Sequence, residues 1–130
     1  MIVVSNSSPL VYLAALSDFE LLPKLFGSIL IPPAVWREVV EQAPGLPVCA
    51  AVDGALGHWM EVVPLKNSPM IQTPPRGVLH AGEAEVIQLA HEVGANALLI
   101  DDRIAVEHAR SLRLVVVPRS PSTSGRSAWA

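Results

Sequence analysis

Short apolar, largely β-branched runs alternate along this chain with stretches whose apolar residues recur at helical spacing, and that alternation gives a nearly complete map of elements. Ile2 to Ser5 reads as a strand. It ends in Asn6-Ser7-Ser8-Pro9, where Ser7 or Ser8 can cap a helix and Pro9 suits its first turn. A second helix is predicted from Asp18 to Phe26, limited or kinked by Pro23 and closed by Gly27. A strand follows over residues 28–31, and Pro32-Pro33 then opens a helix from Ala34 to about Gln42 that Pro44-Gly45-Leu46-Pro47 stops. Residues 48–58 read as a short helix and Met60 to Pro64 as a strand, and the proline-bearing stretch from Lys66 to Gly77 reads as loop. The clearest helix runs from Ala81 to Val93 and is closed by Gly94. Ala97 to Ile100 is a buried strand, Arg103 to Leu112 a helix, and Leu114 to Val117 a last strand.

Five short strands joined by helices predict a parallel sheet covered on both faces, because parallel neighbours need long crossover connections. With 130 residues, 51% of them hydrophobic and 16% charged, the chain fits one domain with a core of its own. From Pro118 the composition turns to Pro, Ser, Thr, Gly and Arg, so residues 119–130 are expected to form a disordered tail. Cys49 is the only cysteine, which rules out an internal disulfide and a cysteine-based zinc site. No leader-like segment and no apolar run of membrane-spanning length is present, so a cytoplasmic protein with no membrane partner is expected. The net charge of −3 argues against a general nucleic-acid coat but is compatible with a cluster of metal-binding carboxylates.

In an open parallel sheet, ligands bind beyond the carboxyl ends of strands where the strand order reverses. Asn6 follows the first strand, and Asp101-Asp102 follow the strand Ala97 to Ile100. On a wheel of about 100° per residue, Val86, Ile87, Leu89, Ala90 and Val93 form the apolar stripe of the helix from Ala81. Glu83 lies inside that stripe, whereas Glu85, Gln88 and Glu92 point away. A carboxylate on the inward face of a first helical turn needs water or a cation as partner. On the helix Ala34 to Gln42, Glu38 lies on the flank of the apolar side and could line a cleft, although Arg37 occupies the opposite flank equally well. Oxygen ligands from separated elements, without His or Cys at metal spacing, suit a hard cation such as Mg²⁺ or Mn²⁺ and hence phosphoryl transfer.

Four segments in order carry a resemblance. They are Val3-Val4-Ser5-Asn6-Ser7-Ser8-Pro9-Leu10, then Ile31-Pro32-Pro33-Ala34-Val35-Trp36-Arg37-Glu38-Val39, then Gly82-Glu83-Ala84-Glu85, and last Leu98-Leu99-Ile100-Asp101-Asp102-Arg103. Over residues 2–117 the chain resembles a PIN domain, in particular the VapC-like toxin ribonucleases. The resemblance implies an α/β fold, a PIN-like three-layer sandwich in which a central, mostly parallel five-stranded sheet is flanked by helices, with residues 1–118 forming the nuclease domain. It implies Glu38, Glu83 and Asp102 as catalytic residues, and Asn6, Glu38, Glu83, Asp101 and Asp102 as ligands of Mg²⁺ or Mn²⁺. Ser8, Glu85 and Arg103 are accessory candidates. The implied activity is hydrolysis of single-stranded RNA by the toxin of a toxin–antitoxin pair, a homodimer held in check by a cognate antitoxin. Two features depart from the family pattern. The acid after the first strand is usually Asp, so Asn6 keeps an oxygen but loses a charge, and relatives commonly continue past the last strand into further helix.

Plainer readings compete residue by residue. Asp101-Asp102 could cap the helix at Arg103, an effect worth about 1 kcal/mol, and Glu83 could complement the positive end of its helix. Asn6 could merely shape its turn. Glu38 and Glu85 in isolation read as surface residues, and Arg103, Arg110 and Arg113 as solvated helix charges that could also touch phosphates. Trp36 reads as core and Trp59 as core or interface, and the four histidines fit no metal motif. The alternative function is a catalytically weakened PIN-like module that binds RNA or protein. A receiver-like signalling domain is more distant, because such domains place their acidic pair after the first strand.

Overall fold

A computed structural model of the chain describes residues 2–67, 81–100 and 115–116. Strand β1 (Ile2–Ser5) lies beside both β2 (Ser28–Ile31) and β4 (Ala97–Leu99), and β3 (Met60–Val62) lies beyond β2, giving the order β3-β2-β1-β4. All three pairings are parallel, with Val3 opposite Ile29 on one side and Ala97 on the other. Successive strand residues face opposite sides of a sheet. Val3 and Val4 are both fully buried, as are Leu98 and Leu99, so both faces of the sheet are covered.

The helices are α1 (Ser7–Ala15), α2 (Leu21–Phe26), α3 (Pro33–Trp36), α4 (Pro47–Ala55) and α5 (Ala81–Val93). The prolines sit where a missing N–H costs nothing: Pro33 and Pro47 each open a helix, and Pro23 falls in the first turn of α2. Pro23 therefore does not kink α2; the helix begins at Leu21, three residues later than the periodicity suggests, and Gly27 ends it at φ +79°. Leu10, Leu13, Val35, Val39, Val48, Val52, Val86, Ile87 and Leu89 join the strand residues in one core. Trp36 packs against that core from a half-buried position, and Trp59 meets Phe19 in a tilted contact with ring centroids 5.4 Å apart.

The helix predicted over residues 34–42 is two structures in succession. After α3, residues Arg37–Glu41 form a π-helical turn in which the Gln42 N–H reaches back to the Arg37 carbonyl at 2.8 Å. Such a turn adds a residue to the helical repeat and recurs at functional sites. Of the predicted fifth strand, Val116 bridges Leu98 in parallel and the Val115 carbonyl accepts the Leu98 N–H at 2.8 Å. Among the described residues the sheet thus has four strands, and the fifth predicted one is represented by this bridge. The helix predicted from Arg103 and the tail from residue 119 lie outside the described residues. Among the described residues no helix is long and apolar enough to cross a membrane.

Candidate metal centre

The strand order places β1 between the strand that follows it, β2, and the strand that comes last of the four, β4. The carboxyl ends of β1 and β4 therefore meet at the point where the winding of the sheet reverses. Ser5 is opposite Leu99, and the Asn6 N–H donates to the Leu99 carbonyl at 3.0 Å. Asn6 is thereby fixed at the end of β1 and serves as the N-cap residue of α1, with extended backbone at φ −81° and ψ 174°.

An N-cap asparagine ordinarily satisfies a free N–H of the first turn with its side-chain oxygen. Asn6 does not, and neither Ser7 nor Ser8 takes the N-cap position assigned to them from sequence. The Asn6 residue is 4% exposed, and its side-chain amide has no hydrogen-bond partner among the described residues. A buried amide left so costs about 1–3 kcal/mol unless something beyond the described residues satisfies it.

Two other elements come to the same spot. Gly82, on the first turn of α5, is buried with the Glu38 carboxylate lying directly against it. A Cβ at Gly82 would collide with Glu38 Oε1, stand 3.2 Å from Glu38 Cδ, and stand 3.7 Å from Asn6 Oδ1. The missing side chain is what admits Glu38, from the π-helical turn, to the neighbourhood of Asn6. The Ser7 hydroxyl donates to Glu38 Oε2 at 3.1 Å and holds that exposed side chain over the site. Glu83 follows Gly82 and is 6% exposed, which agrees with its inward place on the helical wheel.

The remaining candidates separate. Ser8 is exposed; Ser7 makes the hydroxyl contact instead. Glu85, placed on the outer side by the wheel, accepts the Ala34 N–H at 3.0 Å through Oε1 and approaches Arg37 at 3.8 Å through Oε2. Gln88 and Glu92, also expected to point outward, are engaged as well. Gln88 is buried, and Glu92 takes the Lys66 N–H at 2.7 Å, the Asn67 N–H at 3.0 Å and the Gln88 side-chain N–H at 3.1 Å. Asp101, Asp102 and Arg103 lie outside the described residues. Among the described residues no three His, Cys, Asp or Glu side chains form a group able to hold a metal ion. The Asn6 oxygen and the Glu38 carboxylate, which both approach Gly82, are oxygen donors of a kind that suits a hard cation.

Sequence reasoning gave Ser7 only a capping role and Gly82 no role beyond its place in the Gly82-Glu83-Ala84-Glu85 segment. A glycine on the first turn of an otherwise strong helix was the available signal for Gly82, since glycine there lowers helix stability and calls for a reason. The Ser7 contact spans 31 positions and leaves no local trace.

A family model described as PIN domain, DUF3368, matches residues 2–117. The chain belongs to the PIN domain family. Two solved structures share the fold. A PilT N-terminus domain protein from the hyperthermophilic archaeon Sulfolobus solfataricus P2 is 19% identical, with a TM-score of 0.60 over 91% of this chain and 87% of that one. The PIN domain endonuclease Utp24 is 12% identical, with a TM-score of 0.60 over 92% of this chain and 85% of that one. No curated protein matches the sequence. At these identities the two structures establish the architecture of this PIN domain, and its chemistry has to be argued from its own residues.

Proposed function

We propose that this PIN domain is a ribonuclease dependent on Mg²⁺ or Mn²⁺, with Asn6, Glu38 and Glu83 joined by Asp102, and by Asp101 beside it, in holding the ion. The observation that carries the reading is the buried amide of Asn6, without a hydrogen-bond partner among the described residues, beside the Glu38 carboxylate at the switch point of the sheet. The sequence supplies Asp101 immediately after the buried Ile100, which continues β4, the strand paired with β1. A bound divalent ion would polarise the phosphate and favour ionisation of a water molecule.

The chain's own residues have separate tasks in this reading. Glu38 and Glu83 supply negative charge, Asn6 supplies a neutral oxygen and a donor, and the Ser7 hydroxyl orients Glu38. With Asp101 and Asp102 added, four carboxylates would make an acidic cradle, and loss of charge at Asn6 would be tolerable because the others remain. Single-stranded RNA is the substrate class, and the VapC-like resemblance extends the reading to a homodimeric cytoplasmic toxin restrained by an antitoxin.

The test is Mn²⁺ titration by calorimetry together with cleavage of a labelled single-stranded RNA, using Glu83→Gln, Glu38→Gln and the Asp102→Asn variant. Saturable binding and metal-dependent cleavage, both lost in the variants, are the expected result. Cleavage that survives Glu83→Gln and Asp102→Asn would show that the site is elsewhere. A second reading, a module that binds RNA or a protein without turnover, is favoured by the neutral Asn6 in the position where an acid is usual. It requires RNA or partner binding that persists in EDTA.

A further inference from the structure

The helix that leads into Glu38 begins with a deficiency. Its N-cap is Pro32, which has no side-chain acceptor and makes no cap hydrogen bond, and Pro33 follows at the first position. Ala34 is therefore the first residue of α3 with an N–H to satisfy, and nothing local satisfies it. The acceptor comes from 51 positions away: Glu85 Oε1, at 3.0 Å. Its other oxygen, at 3.8 Å from the Arg37 guanidinium, faces the residue that opens the π-helical turn and directly precedes Glu38.

We propose that Glu85 is a positioning residue of the metal site, whose carboxylate clamps the start of α3 and Arg37 to α5 and so fixes Glu38 relative to Gly82 and Glu83. The proposal rests on the metal-site reading above and reassigns Glu85 from accessory ligand to support. Three observations support it. The Glu85 carboxylate is turned to the α3 side, with Oε1 accepting the Ala34 N–H and Oε2 facing Arg37. The Glu85 side chain is 18% exposed against 49% for Arg37, so the hydrogen bond to Ala34 is sheltered while the ion pair is largely in water. Glu85 also stands on the helix that carries Gly82, against which Glu38 rests with less than a side chain's clearance. A rotation or slide of α3 relative to α5 would move Glu38 off that seat. Supporting residues that orient metal ligands typically change metal affinity by about 10–100-fold when removed.

Two variants separate support from ligation. Glu85→Met keeps the length and the apolar stem but has no acceptor for Ala34. Glu85→Gln keeps an oxygen for the Ala34 N–H and gives up only the solvent-screened attraction to Arg37, which is worth about fivefold in affinity at most. Calorimetry with Mn²⁺ on the full chain is expected to show a loss of about 10–100-fold for Glu85→Met and wild-type affinity to within about fivefold for Glu85→Gln. Amide exchange at Ala34, measured in EDTA, is expected to be slow in the wild type and in Glu85→Gln and fast in Glu85→Met. Wild-type Mn²⁺ affinity in Glu85→Met would overturn the proposal. So would an equal loss in both variants, which would mark Glu85 as a ligand. If the wild type takes up no Mn²⁺, the metal-site reading fails by itself, and exchange at Ala34 decides the clamp: protection lost only in Glu85→Met sustains it, and protection unchanged in Glu85→Met ends it.

Discussion

Replacing Gly82 by alanine tests the geometry of the site with a single methyl group. The backbone at Gly82 does not need a positive φ, so alanine is allowed there, and on the first turn of α5 it favours the helix by up to about 1 kcal/mol. Against that, the new Cβ would strike Glu38 Oε1 and crowd Glu38 Cδ at 3.2 Å. The obstacle is the far end of an exposed side chain, so it can swing aside at the cost of its hydrogen bond from Ser7, worth about 0.5–1.5 kcal/mol before solvent replaces it. The two effects nearly cancel in stability, and Tm should move by no more than about 5 °C either way. They do not cancel in function, because a displaced Glu38 no longer stands beside Asn6. Mn²⁺ affinity should fall at least about tenfold, or about 1.4 kcal/mol. The control is Gly54→Ala on α4, where a Cβ meets nothing within 4 Å. That variant should gain stability and bind Mn²⁺ as the wild type does. Calorimetry and thermal unfolding on the same preparations read both quantities. Wild-type Mn²⁺ affinity in Gly82→Ala would refute the placement of Glu38 in the site.

Three further outcomes follow from other parts of the molecule. Asn6→Asp buries a carboxylate beside Glu38, so in EDTA its Tm should fall, by a few kcal/mol of stability at most, whereas Mn²⁺ should bind more tightly and raise Tm more than in the wild type; affinity no higher than wild type would contradict an ion at Asn6. Glu92 is held below its ordinary 4.5 chiefly by the Lys66 N–H; burial, the next largest effect, opposes this, and Gln88 and Asn67 add smaller lowering contributions. A depressed folded value means that this contribution is complete above about pH 4.5 and is lost as pH falls through the folded value; exchange of the Lys66 and Asn67 amides should accelerate there in the wild type, and that pH step should vanish in Glu92→Gln. Leu10→Ala, in a fully buried position where α1 meets the core, should lower stability by about 2–5 kcal/mol in chemical denaturation.

Elements set by local chemistry were legible in the sequence, and contacts between distant elements were not. α5 has the predicted bounds because thirteen residues of helical periodicity and Gly94, at φ +64°, leave no competing solution. Pro33 marked the start of α3 for the same kind of reason, whereas Pro47, read only as a stop, also opens α4, which runs to Ala55 instead of residue 58. The π-helical turn at Arg37–Glu41 could not be read, since a wheel assumes the regular repeat that this turn breaks. Glu83 was legible because an acid within an apolar stripe is anomalous wherever it lies. Glu85, Gln88 and Glu92 were read as solvated because a wheel knows one helix and not its neighbours. All three are engaged by partners or buried through the packing of α5 with other parts of the chain.

Asn6 is the residue at which the competing accounts of the site diverge most sharply. If it only shaped the turn into α1, its side chain would bond to the first turn or reach solvent. It does neither: the residue is 4% exposed, the N-cap position lacks its usual side-chain bond, and the backbone N–H is already committed to Leu99. A buried polar group in that state persists when something beyond the described residues satisfies it. The Asn6 oxygen could meet a cation or a water, but a carboxylate set close by, itself held by Ser7 and admitted by a glycine, raises the local negative charge and favours the cation. On the metal-site reading proposed above, an amide in place of the usual acid lowers the charge of the site without abandoning its geometry, and metal affinity, more than folding, is the quantity that substitutions at Asn6 should change.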